Sequence, residues 1–206
     1  MKITALHEGS YSVAADKKFI PFDPAIHHPK DRPGSIFVHI TPFLVETATE
    51  LLLLDTGLGY CDEAGKPWIY KHIEAAGYDP KDITKVLMSH LHFDHSGGML
   101  FEQDGKWQPT FPDAEYYVQK EELETAVSKS SLSYNREALE QIRRYGNLNL
   151  IEGSGKITNE ISYELTGAHC EFHQVFLIES EGEKVFFGGD VLPEPIQLVR
   201  NFIAKY

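Results

Sequence analysis

The chain has 206 residues, of which 42% are hydrophobic and 24% are charged, and its formal net charge is −12. This composition is ordinary for a soluble globular protein with a substantial core, and the negative charge argues against binding to a nucleic-acid backbone. No apolar run approaches the roughly 18 residues of a membrane span, and two cysteines are too few for a disulfide framework. The N-terminus lacks a signal-peptide pattern, so we expect a cytoplasmic protein. From the charge and the short apolar runs, we expect that it binds neither nucleic acid nor membrane.

The first half of the chain alternates strand-like and helix-like segments. Alternating or continuously apolar residues predict strands at Lys2–Leu6, Ile36–Glu46, Glu50–Asp55 and Val86–Ser89. The proline-rich segment Pro21–Gly34 reads as an irregular loop. Residues Trp68–Ala76 have helical spacing, and Gly77 supplies a C-cap.

The second half continues the same alternation. A strand at Glu115–Gln119 is followed by helical stretches at about Lys120–Ser128 and Asn135–Tyr145. Four more strands follow, at Leu148–Ile151, Glu160–Leu165, Glu171–Ser180 and Lys184–Phe187. Strands interleaved with helices in both halves predict an α/β fold whose helices cover the outer faces of sheets. No repeat or linker divides the sequence, so we expect a single domain over residues 1–206.

The run from Ser89 to Gly98 is the most informative part of the sequence, because it places three histidines and an aspartate within six residues. Imidazole and carboxylate are the natural ligands of Zn²⁺ and similar ions. On an extended stretch His90 and His92 point the same way, so one metal ion can take both. A turn eased by the two glycines that end the run would bring Asp94 and His95 toward a second ion.

A third imidazole for the first ion comes from His169, which follows a predicted strand and a glycine-containing turn. Three histidines with an open fourth position form the pattern of a catalytic zinc site. His173 competes for this role four residues later. We favour His169, because Gly167 frees the backbone to turn inward.

Two aspartates stand at the ends of apolar strands. Asp190 follows a buried strand and two glycines, and a carboxylate there is costly to bury without a partner. It fits a helix or turn cap, but with two ions a bridging carboxylate is the better interpretation. Asp55 ends the four-leucine strand, and it fits two roles equally. It either fixes the tautomer of a ligand histidine from behind or caps a turn.

Taken in chain order, these pieces resemble the metallo-β-lactamase superfamily. The matching elements cover nearly the whole chain and are Leu54-Asp55-Thr56-Gly57, the Ser89–Gly98 run, Thr166-Gly167-Ala168-His169 and Gly188-Gly189-Asp190. The resemblance implies an αββα four-layer sandwich with a dinuclear metal site at one edge of its two sheets. The ligand set that it implies is His90, His92 and His169 for the first ion, Asp94 and His95 for the second, and Asp190 as the bridge.

Within the superfamily, the chain looks most like the branch that opens N-acyl homoserine lactones. The cues are the wording of the histidine run, Tyr117-Val118-Gln119 with Glu121 or Glu122 after it, Ser133-Tyr134 and His173-Gln174. Two features depart from the pattern. Relatives commonly carry threonine at the position of Cys170, and they supply one more histidine to the second ion well past the bridging aspartate. Because the chain ends at Tyr206 and its last residues do not complete an element, we expect that a C-terminal portion is missing.

The activity that the resemblance implies is hydrolysis of a lactone or ester by a hydroxide that bridges two divalent ions. Zn²⁺ suits these ligands, and Mn²⁺, Fe²⁺ and Co²⁺ are alternatives. Asp94 would be both a ligand and the group that hands a proton to the leaving alkoxide. The substrate is expected to be a small molecule, with pocket walls from the loop Phe19–Gly34 and the segment Ser128–Tyr134, and a homodimer is left open.

Four other functions stay in competition. A thioester hydrolase of the glyoxalase II type shares the ligand set, but it usually adds a basic C-terminal region that this sequence does not show. A β-lactamase often has different ligands at the second ion and is exported. A di-iron oxygen-binding redox protein of the same fold carries an acidic residue near the position of His92 and a flavodoxin-like domain. A non-catalytic metal-binding protein is the last alternative, because the sequence does not show the last histidine that relatives supply to the second ion.

Overall fold

The computed structural model describes residues 1–193. Its largest sheet has six strands in the order β1-β5-β6-β7-β10-β11. Their bounds are Lys2–Ala5 (β1), Phe43–Glu46 (β5), Leu51–Leu54 (β6), Lys85–Leu87 (β7), Glu115–Gln119 (β10) and Leu148–Ile151 (β11). The last four run parallel, whereas β1 and β5 pair antiparallel. The carboxyl ends of β6 and β7 therefore meet at one edge, where Asp55 and the histidine run begin.

A second, antiparallel sheet packs face to face on the first. Its strands are Gly155–Lys156 (β12), Ile161–Leu165 (β13), Gln174–Ser180 (β14) and Glu183–Phe187 (β15). The apolar layer between the sheets consists of Val45, Leu52, Leu54, Leu87, Ile161, Phe176 and Ile178. Gln174 donates from its backbone N to the carbonyl oxygen of Ser89 at 2.9 Å. The start of β14 therefore lies beside the end of β7. The end of β15 lies at the same edge of the second sheet, because β14 and β15 pair antiparallel.

Helices cover the other face of the six-stranded sheet. The three longer ones are Trp68–Ala75 (α1), Lys120–Ser128 (α3) and Arg136–Ile142 (α4), and a single turn at Phe93–Ser96 (α2) lies within the histidine run. The longer helices bury apolar side chains against the sheet, among them Ile69, Ile73, Leu123, Leu139 and Ile142. One helical layer on a pair of stacked sheets is therefore described in residues 1–193. No helix in that range is long and apolar enough to cross a membrane.

A smaller three-stranded sheet accompanies the sandwich. It is formed by Gly9–Val13 (β2), Phe19–Pro21 (β3) and Ile36–Ile40 (β4), and a separate hairpin joins Leu100–Gln103 (β8) to Lys106–Pro109 (β9). The single strand predicted over Ile36–Glu46 is divided at Thr41-Pro42, where proline has no N–H to continue a ladder. Its two halves belong to different sheets.

Most other predicted elements agree with the structure to within a few residues. The helix Lys120–Ser128 and the strands Glu115–Gln119 and Leu148–Ile151 have the predicted bounds. The strand predicted from Glu171 begins only at Gln174, because residues 170–173 form the turn that follows His169. The expectation about a missing C-terminal portion concerns residues beyond 193 and lies outside the described residues. The single-domain organisation over 1–206 stays a prediction.

Candidate metal centre

The histidine run is anchored to the loop that follows β6. Thr56 donates to the carbonyl oxygen of His95 from both its backbone N and its Oγ1, each at 2.8 Å. The glycines at the end of the run serve this packing, because a Cβ on Gly97 would lie 2.3 Å from the carbonyl oxygen of Leu58. The expected tight turn is the helical turn α2 (Phe93–Ser96), and Gly97 permits the close approach of two backbones.

Three histidines form the first candidate group of ligands, called here the three-histidine group (His90, His92 and His169). One ring nitrogen from each lies within 4.8 Å of the others. His92 Nδ1 and His169 Nε2 are 3.0 Å apart. His90 Nε2 is buried and has no hydrogen-bond partner among the described residues. Because Zn²⁺ binds imidazole nitrogen at about 2.0–2.1 Å, a converging set of this kind fits a divalent ion.

The second candidate group, called the His95–Asp190 group, combines His90, His95 and Asp190 within the same distance limit. His95 Nε2 is 3.2 Å from Asp190 Oδ1 and 3.7 Å from Asp94 Oδ2. The other oxygen of Asp190 is 3.5 Å from His169 Nε2. The Asp190 carboxylate therefore lies between the two groups, where a bridge would have to be.

Asp55 lies behind His95 and contacts its ring directly, and it reaches the His90 ring through Ser89. Its Oδ2 is 2.7 Å from His95 Nδ1 and accepts from Ser89 Oγ at 2.7 Å. Ser89 Oγ is in turn 3.1 Å from His90 Nδ1. With the Nδ1 atoms of both histidines facing this network, their Nε2 atoms are left to face the site. Asp55 also accepts the backbone N–H of Ser89 at 2.7 Å, so the two predicted roles occur together.

The charges in the two groups differ. Burial lowers the pKa of His92 to about 3 and holds the pKa of His90 well below its usual range, so both rings are neutral and can offer lone pairs. Burial also acts to lower the pKa of His95, but the carboxylates of Asp190, Asp94 and Asp55 outweigh it and raise that pKa well above its usual range. Burial disfavours the charged form of Asp190, yet the charges of His95 and His169 hold its pKa well below the usual range.

His173, the competitor of His169, lies outside both groups. It is fully buried, and its Nε2 accepts the backbone N–H of Asp190 at 3.2 Å. Its backbone oxygen accepts from Thr166 Oγ1 at 2.9 Å. His173 therefore joins the turn that carries His169 to the segment that carries Asp190. His169 itself has a left-handed backbone (φ 66°), as does Gly167 (φ 60°), and these two residues turn the chain into the site.

Comparison with known protein families agrees with this geometry. The profile of the Metallo-beta-lactamase superfamily matches residues 35–204. The chain belongs to the metallo-beta-lactamase superfamily. Its α/β fold with stacked sheets is the one that the sequence predicts.

Among curated superfamily members, similar sequences include lactonases. The N-acyl homoserine lactonase AiiA of Bacillus thuringiensis subsp. kurstaki is 30% identical over 109 residues, which are 53% of this chain and 38% of that protein. A probable metallo-hydrolase of Mycobacterium tuberculosis is 30% identical over 106 residues, which are 43% of this chain and 31% of that protein. The matched region thus spans well under half the length of these curated relatives.

Solved structures of the superfamily give the same result for the fold. A probable metal-dependent hydrolase from Staphylococcus aureus has a TM-score of 0.68 and 25% identity, and the match covers 92% of this chain and 73% of that one. AidC, a dizinc quorum-quenching lactonase in complex with a product, has a TM-score of 0.66 and 23% identity, with coverage of 89% and 69%. Because the sequence identity to AidC is only 23%, this structural similarity establishes the fold alone.

A cleft of about 430 Å³ opens onto the His95–Asp190 group. Asp94, His95 and Asp190 lie at its polar end. Its apolar wall comes from β4, β5 and the end of β15, through Phe37, Val38, Ile40, Phe43, Phe186, Phe187 and Leu192. These walls differ from the segments that the sequence suggested, because the division at Thr41-Pro42 carries residues 37–43 past the site.

The structure also adds side chains whose role the sequence did not reveal. Glu122, named only as a cue of resemblance, and Tyr134, the last residue of the predicted wall segment Ser128–Tyr134, lie next to the three-histidine group. The Tyr134 ring is 5.1 Å from the His92 ring. Cys170 contacts Glu122 with its Sγ. The sequence signal for Glu122 is its position in the first turn of the helix α3, directly after the strand β10.

Proposed function

We propose that this chain is a metal-dependent hydrolase that opens a lactone or ester, as an N-acyl homoserine lactonase does. The observation that carries the proposal is the convergence of three imidazoles, a fourth histidine and two carboxylates at the end of an apolar cleft. The lactonases among its relatives make an acylated lactone the first substrate class to test. Two divalent ions, Zn²⁺ first among them, are proposed as the cofactor.

The proposed ligands are those that the resemblance implies, and the convergence of the three-histidine group and the contact of His95 with Asp190 support them. His90, His92 and His169 would hold the first ion, Asp94 and His95 the second, and Asp190 would contact both. The buried Nε2 of His90, which no described residue satisfies, supports the presence of a bound cation. When bound, such ions activate a water molecule and polarise the carbonyl of the substrate.

The remaining steps are assigned to the chain's own groups. Burial raises the pKa of Asp94, so its carboxyl holds a proton more readily than an exposed aspartate does. Asp94, whose Oδ2 lies 3.7 Å from His95 Nε2, is proposed as the group that takes a proton from the attacking water and passes it to the leaving alkoxide. The apolar wall of the cleft, where the Phe186 side chain is 55% exposed, would bind the hydrocarbon part of an acylated substrate.

Cellular location and assembly belong to the same proposal. Both cysteines are free thiols, which suits a reducing compartment such as the cytoplasm. The substrate is proposed to be a small molecule, and a homodimer remains one assembly to test. The single-domain organisation is proposed on the continuous contact of its two sheets.

The test combines metal content with turnover. Protein purified without chelator or affinity metal is analysed by elemental mass spectrometry, and ring opening of N-hexanoyl homoserine lactone is followed by proton release. About two ions per chain together with lactone hydrolysis would support the proposal. Metal with turnover of a glutathione thioester alone would favour the glyoxalase II type, and metal without any turnover would favour a binding protein. Absence of bound metal would overturn the proposal.

A further inference from the structure

A buried carboxylate lies directly behind the three-histidine group. Glu122, in the first turn of α3, is 1% exposed. Its Oε1 accepts the backbone N–H of Leu91 at 3.1 Å and the hydroxyl of Tyr134 at 3.2 Å. The Sγ of Cys170 lies 3.7 Å from Oε1 and 3.8 Å from Oε2. One side chain thus receives three donors from three separate segments of the chain.

These donors are the immediate neighbours of the three histidines. Leu91 stands between His90 and His92, so its N–H sets the backbone that carries both rings. Cys170 directly follows His169. Tyr134 lies against His92, with 5.1 Å between their ring centroids. Glu122 therefore links the two loops whose separation determines whether the three ring nitrogens can meet on one ion.

Packing alone does not require a carboxylate at this position. Burial of a carboxyl group removes it from water at a cost in free energy, and an apolar side chain of similar volume often gives equal or greater stability. The backbone N–H of Leu91 and the Tyr134 hydroxyl would, however, lose their acceptor if an apolar residue replaced Glu122. The carboxylate satisfies donors from both sides of the site at once, which an apolar residue cannot do.

We propose that Glu122 is the positioning residue of the three-histidine group, which holds the His90–His92 loop and the His169 turn at ligating distance. The proposal rests on the metal site of the proposed function, but it does not depend on which substrate is hydrolysed. Because the donors to Glu122 come from Leu91, Cys170 and Tyr134, its expected effect is on the geometry and strength of metal binding.

The test compares Glu122→Gln and Glu122→Ala with Glu124→Gln, a matched change at an exposed glutamate of the same helix. Zinc affinity of each full-length chain is measured by competition with a chromogenic chelator, and the visible absorption spectrum of the cobalt-loaded protein reports the ligand geometry. Loss of an outer hydrogen-bond partner typically weakens metal binding by about 10–100-fold. We expect that loss for Glu122→Ala, a smaller loss for Glu122→Gln, altered cobalt spectra for both, and no change for Glu124→Gln.

A purely structural role gives a different result. In that case the melting temperature of the metal-free chain falls for both Glu122 variants, while zinc affinity and the cobalt spectrum match those of the unsubstituted protein, and the proposal is overturned. If Glu122→Ala does not fold, Glu122→Gln decides alone. Tyr134→Phe and Cys170→Ala each remove one donor and should each weaken zinc binding less than Glu122→Ala. Zinc binding without lactone turnover in the unsubstituted chain would end the proposed function but leave this comparison valid, whereas an unsubstituted chain that binds no zinc overturns both.

Discussion

The two candidate ligand groups share His90, but they are held in place by different forces. The three-histidine group consists of buried neutral rings whose backbone segments are joined by hydrogen bonds to Glu122. The His95–Asp190 group is a cluster of opposite charges, in which His95 lies between Asp55, Asp94 and Asp190. In the first group lowered pKa values favour neutral rings that can bind a cation, whereas in the second the raised pKa of His95 favours a protonated ring in the metal-free chain.

This difference has a consequence for metal binding. A neutral imidazole binds a cation without first losing a proton, but the charged His95 must release one. The two sites should therefore respond differently to substitution and to pH. The predictions below test that contrast, in order of decreasing effect.

Substitution of a ligand in the three-histidine group should have the largest effect. We expect that His92→Ala removes at least one bound ion and reduces hydrolysis to background, because two nitrogens cannot replace a three-nitrogen site. Elemental mass spectrometry and a lactone assay measure both outcomes. His28→Ala, at an exposed histidine, is the control and should change neither. Full activity of His92→Ala would refute the metal-dependent mechanism.

Loss of the carboxylate behind the second group should weaken metal binding more selectively. Asp55→Asn removes the negative charge that faces His95 Nδ1, and it also disturbs the contact to Ser89. We expect about 10–100-fold weaker binding of the more weakly held ion. A calorimetric titration with zinc should show that the affinity of one site falls far more than the affinity of the other. Equal weakening of both sites would mean that the two groups are not held independently.

The pH dependence of metal binding should separate the groups. Because carboxylates raise the pKa of His95 well above its usual range, acid keeps its proton in place and metal binding there strengthens as pH rises. The pKa of His92 is lowered to about 3, so the three-histidine group should change little between about pH 5 and 8. Zinc titrations at several pH values test this. A steep pH response of the tighter site would contradict the assignment.

The smallest effect is expected at Glu8, which supports the loop of Asp55 from the other side. Its Oε2 accepts the backbone N–H of Leu58 at 2.9 Å. Burial raises the pKa of Glu8 to about 7, against the smaller opposing influence of that hydrogen bond. The neutral acid is therefore favoured in the folded state. The stability that neutral Glu8 contributes to the folded state is complete below about pH 4.5, the ordinary pKa of a glutamate. That contribution is lost as pH rises through about 7.

Glu8→Gln keeps an acceptor for Leu58 and stays neutral at every pH. Relative to the unsubstituted chain, it should gain stability between pH 5 and pH 8, by ~1–3 kcal/mol. Thermal unfolding of the metal-free proteins measures the difference, and Glu124→Gln is the exposed control. A stability difference that does not vary with pH would show that Glu8 is ionised throughout.

The sequence predicts those parts of the molecule that depend on local pattern. The leucine strand β6, the strand β10 and the helix α3 are periodic or continuously apolar, and their bounds follow closely from that pattern. The strands β2, β3, β8 and β9 were missed, because they are short and mix polar with apolar residues. Pairing with neighbouring strands stabilises them, and such pairing leaves little local signal.

The candidate site shows the same limit. The spacing within the Ser89–Gly98 run is local, so its three histidines and its aspartate could be predicted together as candidate ligands. The role of Glu122 depends on donors that are 31 residues before it and 48 residues after it in the chain, and no local pattern connects them. Residues 37–43, which line the cleft, could not be named from the sequence for a similar reason, since their position depends on the division of one predicted strand between two sheets.

The division at Thr41-Pro42 places part of the cleft wall and the proposed ligands in different sheets. Residues 37–40 belong to the small sheet with β2 and β3, whereas the proposed ligands extend from the two stacked sheets. Phe37 and Val38 of that small sheet line the cleft, so a substitution at either position would change the apolar wall. One fixed reaction centre can in this way acquire new substrates through changes in a peripheral module, and Phe37 marks the position where such changes would act first.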